Sequence, residues 1–205
     1  FVLKPLYQRA IIVAAGPIAN FILAAIIFFL IYSFVGKDFT PAVINEVKEG
    51  SPAAEAGLKK NDVILEIEGT KVESIMDVSK LITMSTSEFI DFTVSRYDKS
   101  IKYKIKPNVV VSEDNLGNKI NKRIIGIQLG PLNNNINHIK LGPLKAFYHS
   151  LNEVYFVTSS SLKYLGSMIV GKGDTSQLGG PIRIAKISGQ VAEFGFIPFL
   201  SMMAY

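Results

Sequence analysis

The sequence predicts an α+β protein in which transmembrane helices flank a small soluble module of short strands and helices. Three observations carry this. Ile11 to Val35 is a run of 25 residues without a charge, bounded by Arg9 and Lys37. From about Pro41 to Pro107 the texture changes to short alternating apolar and polar runs with turn residues between them. Over the whole chain, 48% of residues are apolar and only 19% charged, against about 25% charged in an average soluble domain. Mean hydropathy is +0.29. Low charge with high apolarity excludes a disordered chain, and the thin spread of the +5 net charge excludes a nucleic-acid binder. The length of 205 residues leaves no room for a large two-domain enzyme. Cysteine is absent, which excludes disulfide scaffolds, cysteine nucleophiles and thiolate zinc sites.

As a helix, Ile11 to Val35 spans roughly 37 Å at 1.5 Å per residue, enough to cross a tilted path through a bilayer. Its fifteen Leu, Ile, Phe and Val residues favour insertion by roughly 4 to 9 kcal/mol before polar penalties. Gly16, Pro17 and Asn20 subtract from that sum. A cleaved signal peptide has an apolar core of about 7 to 15 residues, so this run is too long for one. Lys4 and Arg9 precede it and Lys37 follows. That asymmetry weakly places the N-terminus in the cytoplasm and the next segment outside.

In the module, Ala42 to Val47 reads as a strand. Gly50-Ser51-Pro52-Ala53-Ala54-Glu55-Ala56-Gly57-Leu58 sets a capping serine before a first-turn proline and closes on a glycine, the pattern of one short helix. Val63, Leu65 and Ile67 form the inward face of a second strand, and Glu68-Gly69 turns the chain. Ser74 with Asp77 caps a helix that buries Ile75, Val78, Leu81 and Ile82. Ile90, Phe92 and Val94 alternate with polar residues, the turn falls at Asp98-Lys99-Ser100, and Ile101, Tyr103 and Ile105 alternate with lysines that mark a solvated face.

Val109 to Gly130 reads as a further hairpin around Asp114-Asn115-Leu116-Gly117-Asn118, and Asn133 to Asn137 as a polar linker. Helical spacing returns with Leu144, Phe147, Leu151, Val154, Leu162, Leu165 and Ile169, while Glu153 and Lys163 fall on another side. This helix reads either as a surface helix or as a second span with those charges against protein or water. The chain then ends inside a run of twelve uncharged residues, Phe194 to Tyr205, short of the seventeen or so needed to cross.

Arg9 with Ala15-Gly16-Pro17-Ile18-Ala19-Asn20-Phe21 resembles the second core helix of bacterial site-2 proteases, the membrane-embedded zinc metalloproteases. The following module, through Gly50-Ser51-Pro52-Ala53, Ala56-Gly57-Leu58 and Asp62-Val63-Ile64, looks like a bacterial PDZ domain, which occupies this place in that family. Leu178-Gly179-Gly180-Pro181-Ile182 with Ile184-Ala185 resembles the segment leading into the family's last core helix. Three blocks in the family's order cover nearly the whole chain. Two positions depart from it: Asn61 and Arg183 stand where glycine is usual.

The resemblance implies a PDZ-like β-sandwich or barrel at 39–107, flanked by a membrane segment and first transmembrane helix at 1–36. It implies a hairpin and linker at 108–140, a second transmembrane helix at 141–172, and a loop with the start of a third at 173–205. It implies a bacterial inner-membrane, multi-pass protease with the PDZ domain extracytoplasmic and single-pass membrane proteins as substrates. Pro17 removes a backbone donor and Gly16 gives no cover, so carbonyls freed near Asn20 need partners. In the family this helix borders the active-site cavity, which implies that Gly16, Pro17 and Asn20 bind an unwound substrate backbone; otherwise Asn20 bonds another helix. PDZ domains add a peptide strand to a sheet edge and receive its C-terminal carboxylate in a loop. The expected loop is Phe39, Thr40, Pro41 and Ala42, and the expected edge is Val43, Ile44, Asn45 and on to Val47. Ile75 and Val78 stand as pocket walls, or else as core. The domain would recognise extended peptides or filter substrates by size.

The family's Zn2+ needs a helix with His-Glu-x-x-His and an Asp in a Leu-Asp-Gly motif, and neither occurs here. Two His four apart share a helix face and hold zinc while the intervening Glu takes a proton from its water, so the spacing itself is the signal. His138 and His149 are eleven apart and cannot substitute. No catalytic residue and no metal ligand is therefore assigned, and the chain reads as an internal fragment, inactive alone. The rival reading is a membrane-anchored PDZ adaptor without catalysis, which leaves Gly179-Gly180-Pro181 unexplained.

Overall fold

A computed structural model of the chain describes residues 5–113, 119–131, 135–171 and 180–205. Lys4, the turn at Asp114 to Asn118, part of the Asn133 to Asn137 linker, and Leu178 and Gly179 lie outside them. The chain divides into a helical unit (1–37, 140–159 and 181–205) and a sheet unit (38–139 and 160–180).

The helical unit starts with α1 (Leu6–Leu30), which continues as a π-helical turn at Ile31–Val35 and stops at Gly36, φ 115°. Among the described residues only Leu6–Val35 is long and apolar enough to cross a membrane, and most of its surface is uncovered. The uncovered side chains include Ile11, Val13, Phe21, Ile22 and Leu23, the condition of a helix whose solvent is lipid. Its C-terminal turns are covered: Ile27, Phe28 and Tyr32 form a cluster with Ala146 of α4 (Pro143–Ile169) and Ala204 of α6 (Phe196–Ala204). Phe28 stacks on Tyr32 and meets Tyr205 edge-on at 5.2 Å between ring centroids. α5 (Pro181–Glu193) precedes α6 and carries Arg183.

The sheet unit runs β1 (Lys37–Asp38), β2 (Val43–Val47), α2 (Pro52–Ala56), β3 (Val63–Ile67), β4 (Thr70–Lys71), α3 (Ile75–Met84), β5 (Ile90–Arg96), β6 (Lys99–Ile105), β7 (Asn108–Glu113), β8 (Lys119–Ile124), β9 (Ile127–Gly130) and β10 (His138–Ile139). Its main sheet has the order β6-β5-β3-β2-β9, with β4 attached to β3, and its neighbours pair antiparallel. β7 and β8 form a separate hairpin, the arms expected on either side of Asp114 to Asn118. Phe92, Ile44, Ile64, Ile67, Ile90, Ile105, Val94 and Val78 are buried to 2% exposure or less and close the core between the sheet and α3.

Local chemistry accounts for these elements. Ser51 caps α2 by accepting from Ala54 N–H, and Gly57 ends it at φ 92°. Ser74 and Asp77 exchange hydrogen bonds as a capping box at the start of α3. Asn61 adopts φ 71°, so it performs the left-handed turn for which glycine is usual, and its N–H donates to Ile44 O at 2.7 Å.

Two expectations are corrected. The inward residues of β3 are Ile64 and Ile67, with Leu65 exposed, because a bulge between Ile64 and Glu66 shifts the alternation by one residue. The β5–β6 turn is Tyr97-Asp98, at φ 50° and 61°, with Arg96 paired to Lys99; Lys99 and Ser100 already belong to β6. Positive φ at both turn residues matches the right-handed twist of the flanking strands.

Candidate functional site

α1 continues as a helix through Pro17, which leaves the Val13 carbonyl without the N–H it would otherwise receive. At 100° per residue, Gly16, Asn20 and Ile27 fall within roughly 40° of one another, with Pro17 at the margin of that face. All of Gly16, Pro17 and Asn20 are exposed. No atom lies within 4 Å of where a Cβ on Gly16 would stand. The opposite face of α1, with Ile18, Ile22, Ala25 and Phe29, meets Phe147, Leu151 and Val154 of α4 around an apolar cavity of about 510 Å3.

In the sheet unit the expected loop and edge are occupied by the fold itself. Phe39 N–H donates to Asn137 O at 2.8 Å. Thr40 is 1% exposed; its N–H and hydroxyl both donate to Asp38 Oδ1, and its Oγ1 accepts from Asn137 N–H. Pro41 has no N–H to offer, and Ala42 is buried with its carbonyl taken by Ile64 N–H. Val43 and Ile44 are buried in a strand paired on both sides, by β3 and by β9. Asn45 is exposed and lies over Gly130, where a Cβ would stand 1.9 Å from its Nδ2. These residues build the module and offer no open ladder.

The open ladder is β9. It ends the main sheet, with β2 its sole strand partner among the described residues. Between β9 and α3 runs an open groove of about 360 Å3. One wall is Val78, Ser79, Ile82 and Thr83 of α3; the other is Ile125, Ile127 and Leu129. Val78, expected as a pocket wall, lines it, while Ile75 packs against the core from half-buried cover. Gly126 opens β9 at φ 80°, where an added Cβ would come within 2.3 Å of Ser51 Cβ. Its carbonyl accepts from Lys48 N–H and that of Ile125 from Ala53 N–H, which ties the start of β9 to the chain around α2. The sequence cue for this strand is Ile125-Gly126-Ile127, a glycine between branched residues, which within Val109 to Gly130 reads as part of the expected hairpin's second arm.

Charge gathers at one end of the groove. Lys122 and Arg123 line it there, and no acidic residue among the described ones does. The Arg123 guanidinium donates to the carbonyls of Ser85 and Ser87, just beyond α3. Burial pushes the Arg123 pKa down, opposed by the Glu68 carboxylate. Away from the groove, Asp62 is fully buried and accepts from Arg96 Nε and Nη2 at 2.6 Å and from Lys59 N–H at 2.9 Å. Those hydrogen bonds raise the Arg96 pKa.

A catalytic zinc does not fit the described residues: no three His, Cys, Asp or Glu side chains among them come together to hold a metal. His138 lies in β10, and His149 in α4 has its Nδ1 3.4 Å from Lys37 Nζ.

The sequence profile of peptidase family M50 matches residues 1–205. A protein of Agrobacterium fabrum that carries the name zinc metalloprotease is 36% identical over 199 residues, covering 97% of this chain and 53% of its own length. A Brucella suis protein of the same name is 32% identical over 201 residues, covering 98% and 53%. Metalloprotease MmpA of Caulobacter vibrioides is 31% identical over 193 residues, covering 94% and 48%. The chain spans about half the length of these curated relatives. Among solved structures, the PDZ domain of an SdrC-like protein from Listeria monocytogenes is 25% identical at a TM-score of 0.36, covering 44% of this chain and 88% of that one. The corresponding Listeria innocua domain is 22% identical at 0.35, covering 49% and 99%.

Proposed function

The chain belongs to peptidase family M50, and from that premise we propose that it handles substrate in an intramembrane zinc metalloprotease that cleaves single-pass membrane proteins within the bilayer. The PDZ-like module holds an extended peptide against β9. The observation that carries this reading is the open edge of β9 facing α3 across a groove whose lining mixes branched apolar side chains with Ser79, Thr83, Lys122 and Arg123. An added strand finds main-chain partners at such an edge and a pocket for an apolar side chain beside it. A domain acting only as a size filter needs bulk but no open edge, so the groove favours peptide recognition.

In the span, Asn20 offers donors to a substrate backbone drawn out of helical form, on a face where Gly16 leaves room. The zinc, with ligands outside this chain, supplies a water nucleophile near neutral pH when bound. The protein is multi-pass in a bacterial inner membrane, with the module extracytoplasmic. Arg9 before the span supports that orientation, and the packing of α6 on the covered end of α1 supports a second membrane segment.

The test uses the full-length gene product in liposomes with zinc and a single-pass substrate. Asn20→Leu is expected to lower the cleavage rate about tenfold or to move the cut site. Ser79→Trp, which fills the groove from an exposed position, is expected to raise KM for a substrate with a trimmed, exposed end. An unchanged rate and cut site for the first variant overturns the role of the span; an unchanged KM for the second overturns that of the groove.

A further inference from the structure

The strand order of the main sheet ends at β6 and β9, and the separate hairpin has two edges of its own, β7 and β8. An unpaired edge is a template for another strand, and charged side chains, lysine above all, are the common guard against it. β6 carries Lys99, Lys102 and Lys104, and β8 carries Lys119, Lys122 and Arg123. β9 faces α3 across the groove. β7 is different: it reads Asn108-Val109-Val110-Val111-Ser112-Glu113, three β-branched residues in succession and no cation. Val109, Val110 and Val111 are 62%, 36% and 67% exposed. The sole strand partner of β7 among the described residues is β8. A ribbon of two strands is marginal in water, and further strands sharing an apolar face stabilise it.

We propose that the β7 edge is a homodimer interface, at which β7 of a second copy pairs antiparallel about a twofold axis and joins two hairpins into one four-stranded sheet. Charge and symmetry select this occupant. Side chains opposite each other in an antiparallel pair lie on one face of the sheet, so the axis stands perpendicular to the sheet and passes through a single residue of β7. Through Val110 it sets Val109 against Val111 and Asn108 against Ser112; through Val111 it sets Val110 against Ser112 and Val109 against Glu113. Neither register places like charges opposite, and both bring branched side chains together at the axis. The same operation on β8 is repulsive: an axis through Asn121 places Lys119 opposite Arg123, and one through Lys122 places that lysine opposite itself. Pairing of β7 with the β8 of a copy would repeat without closing, whereas the twofold uses both β7 edges and ends there. A contact of one short strand per copy is below the area that holds a dimer in dilute solution. With α1 in the bilayer the chains share one plane, which raises their effective concentration. No β7 residue among the described ones lines the groove between β9 and α3, so the pairing leaves one groove open in each copy.

The chain has no cysteine, so one introduced thiol reports one position. The test uses the 205-residue chain in liposomes of phosphatidylcholine and phosphatidylglycerol. Met76→Cys, exposed on α3, takes a donor or an acceptor dye, and energy transfer is read from the mixture. The comparison is the same chain with Val109→Lys and Val111→Lys, which places lysine opposite lysine in either register on side chains already exposed. At equal chain density the unaltered edge is expected to give at least about threefold more transfer than the lysine variant, the scale of one cross-strand pair. Should that variant fail to fold, oxidative cross-linking decides. Of Val110→Cys and Val111→Cys, the one on the axis is expected to link to its own copy at least about fivefold more than Met76→Cys does, since a disulfide forms only between close Cβ atoms. Equal transfer with a folded lysine variant, or equal cross-linking at all three positions, overturns the proposal. A monomer whose Val111→Cys thiol is hidden from a water-soluble maleimide gives the edge to lipid, and overturns it too. Each of these outcomes leaves the role proposed for the groove as it stands.

Discussion

Asp62 and Gly126 each hold the sheet unit together by a chemistry no other residue type supplies at that point. Asp62 is buried with three donors converging on it, and Arg96 also donates to Gly57 O and lies over the Tyr103 ring. Removing one member of such a pair strands the other. Asp62→Ala is therefore expected to cost about 3 kcal/mol, the lower end of the range because Arg96 keeps some contact with water. The readout is the urea midpoint of the chain in micelles. Gly126 answers to backbone and space together: φ 80° disfavours any L side chain, and Ser51 occupies the position of a Cβ. Gly126→Ala is expected to destabilise by about 1 to 3 kcal/mol and to weaken peptide binding further, since the same residue immediately precedes β9. Peptide binding unchanged in a variant with a lowered midpoint would show that β9 does not carry the ligand.

Elements were legible where a local rule decides them. The α2 caps at Ser51 and Gly57, the capping box of α3, and the alternation of β5 with β6 depend on residues at most a few positions apart, and all stand as the sequence predicts. Ser74→Ala is accordingly expected to cost about 1 kcal/mol, seen as faster hydrogen exchange through the first turn of α3. Legibility failed where distance in the chain matters. The bulge in β3 is created by pairing with β5, so nothing within Val63 to Ile67 announces that Leu65 turns outward. Which strand lies at the sheet edge is likewise a property of topology. Val43 to Val47 has an edge strand's length and position in the reading, but β9, over 80 residues further on, pairs along its far side. The groove that the fold leaves open therefore shares Val78 with the expected pocket, while its other wall, Ile125 and Ile127, follows from a pairing that no stretch of Val43 to Val47 announces.

At the scale of the whole molecule the decisive quantity is how α1 divides between lipid and water. Its fifteen strongly apolar side chains between Ile11 and Val35 favour insertion by roughly 4 to 9 kcal/mol, and Phe21, Ile22, Leu23 and Ile26 in the middle of the helix are exposed among the described residues. One arginine near the centre costs about 2.5 to 3.5 kcal/mol, so two are needed to offset the sum. The double change Leu23→Arg with Ile26→Arg, both at exposed positions, is expected to move the chain from the carbonate-resistant membrane fraction to the extractable one. Leu23→Arg alone is expected to leave most of it in place. Full retention of the double variant would mean that another segment, α4 or α6, suffices as anchor, and the orientation argument from Arg9 and Lys37 would then lose its basis. Recovery of the unaltered chain as a soluble species without detergent would remove α1 from the bilayer and take with it the role given to Asn20, but not the role proposed for the groove between β9 and α3, which is built wholly within the sheet unit.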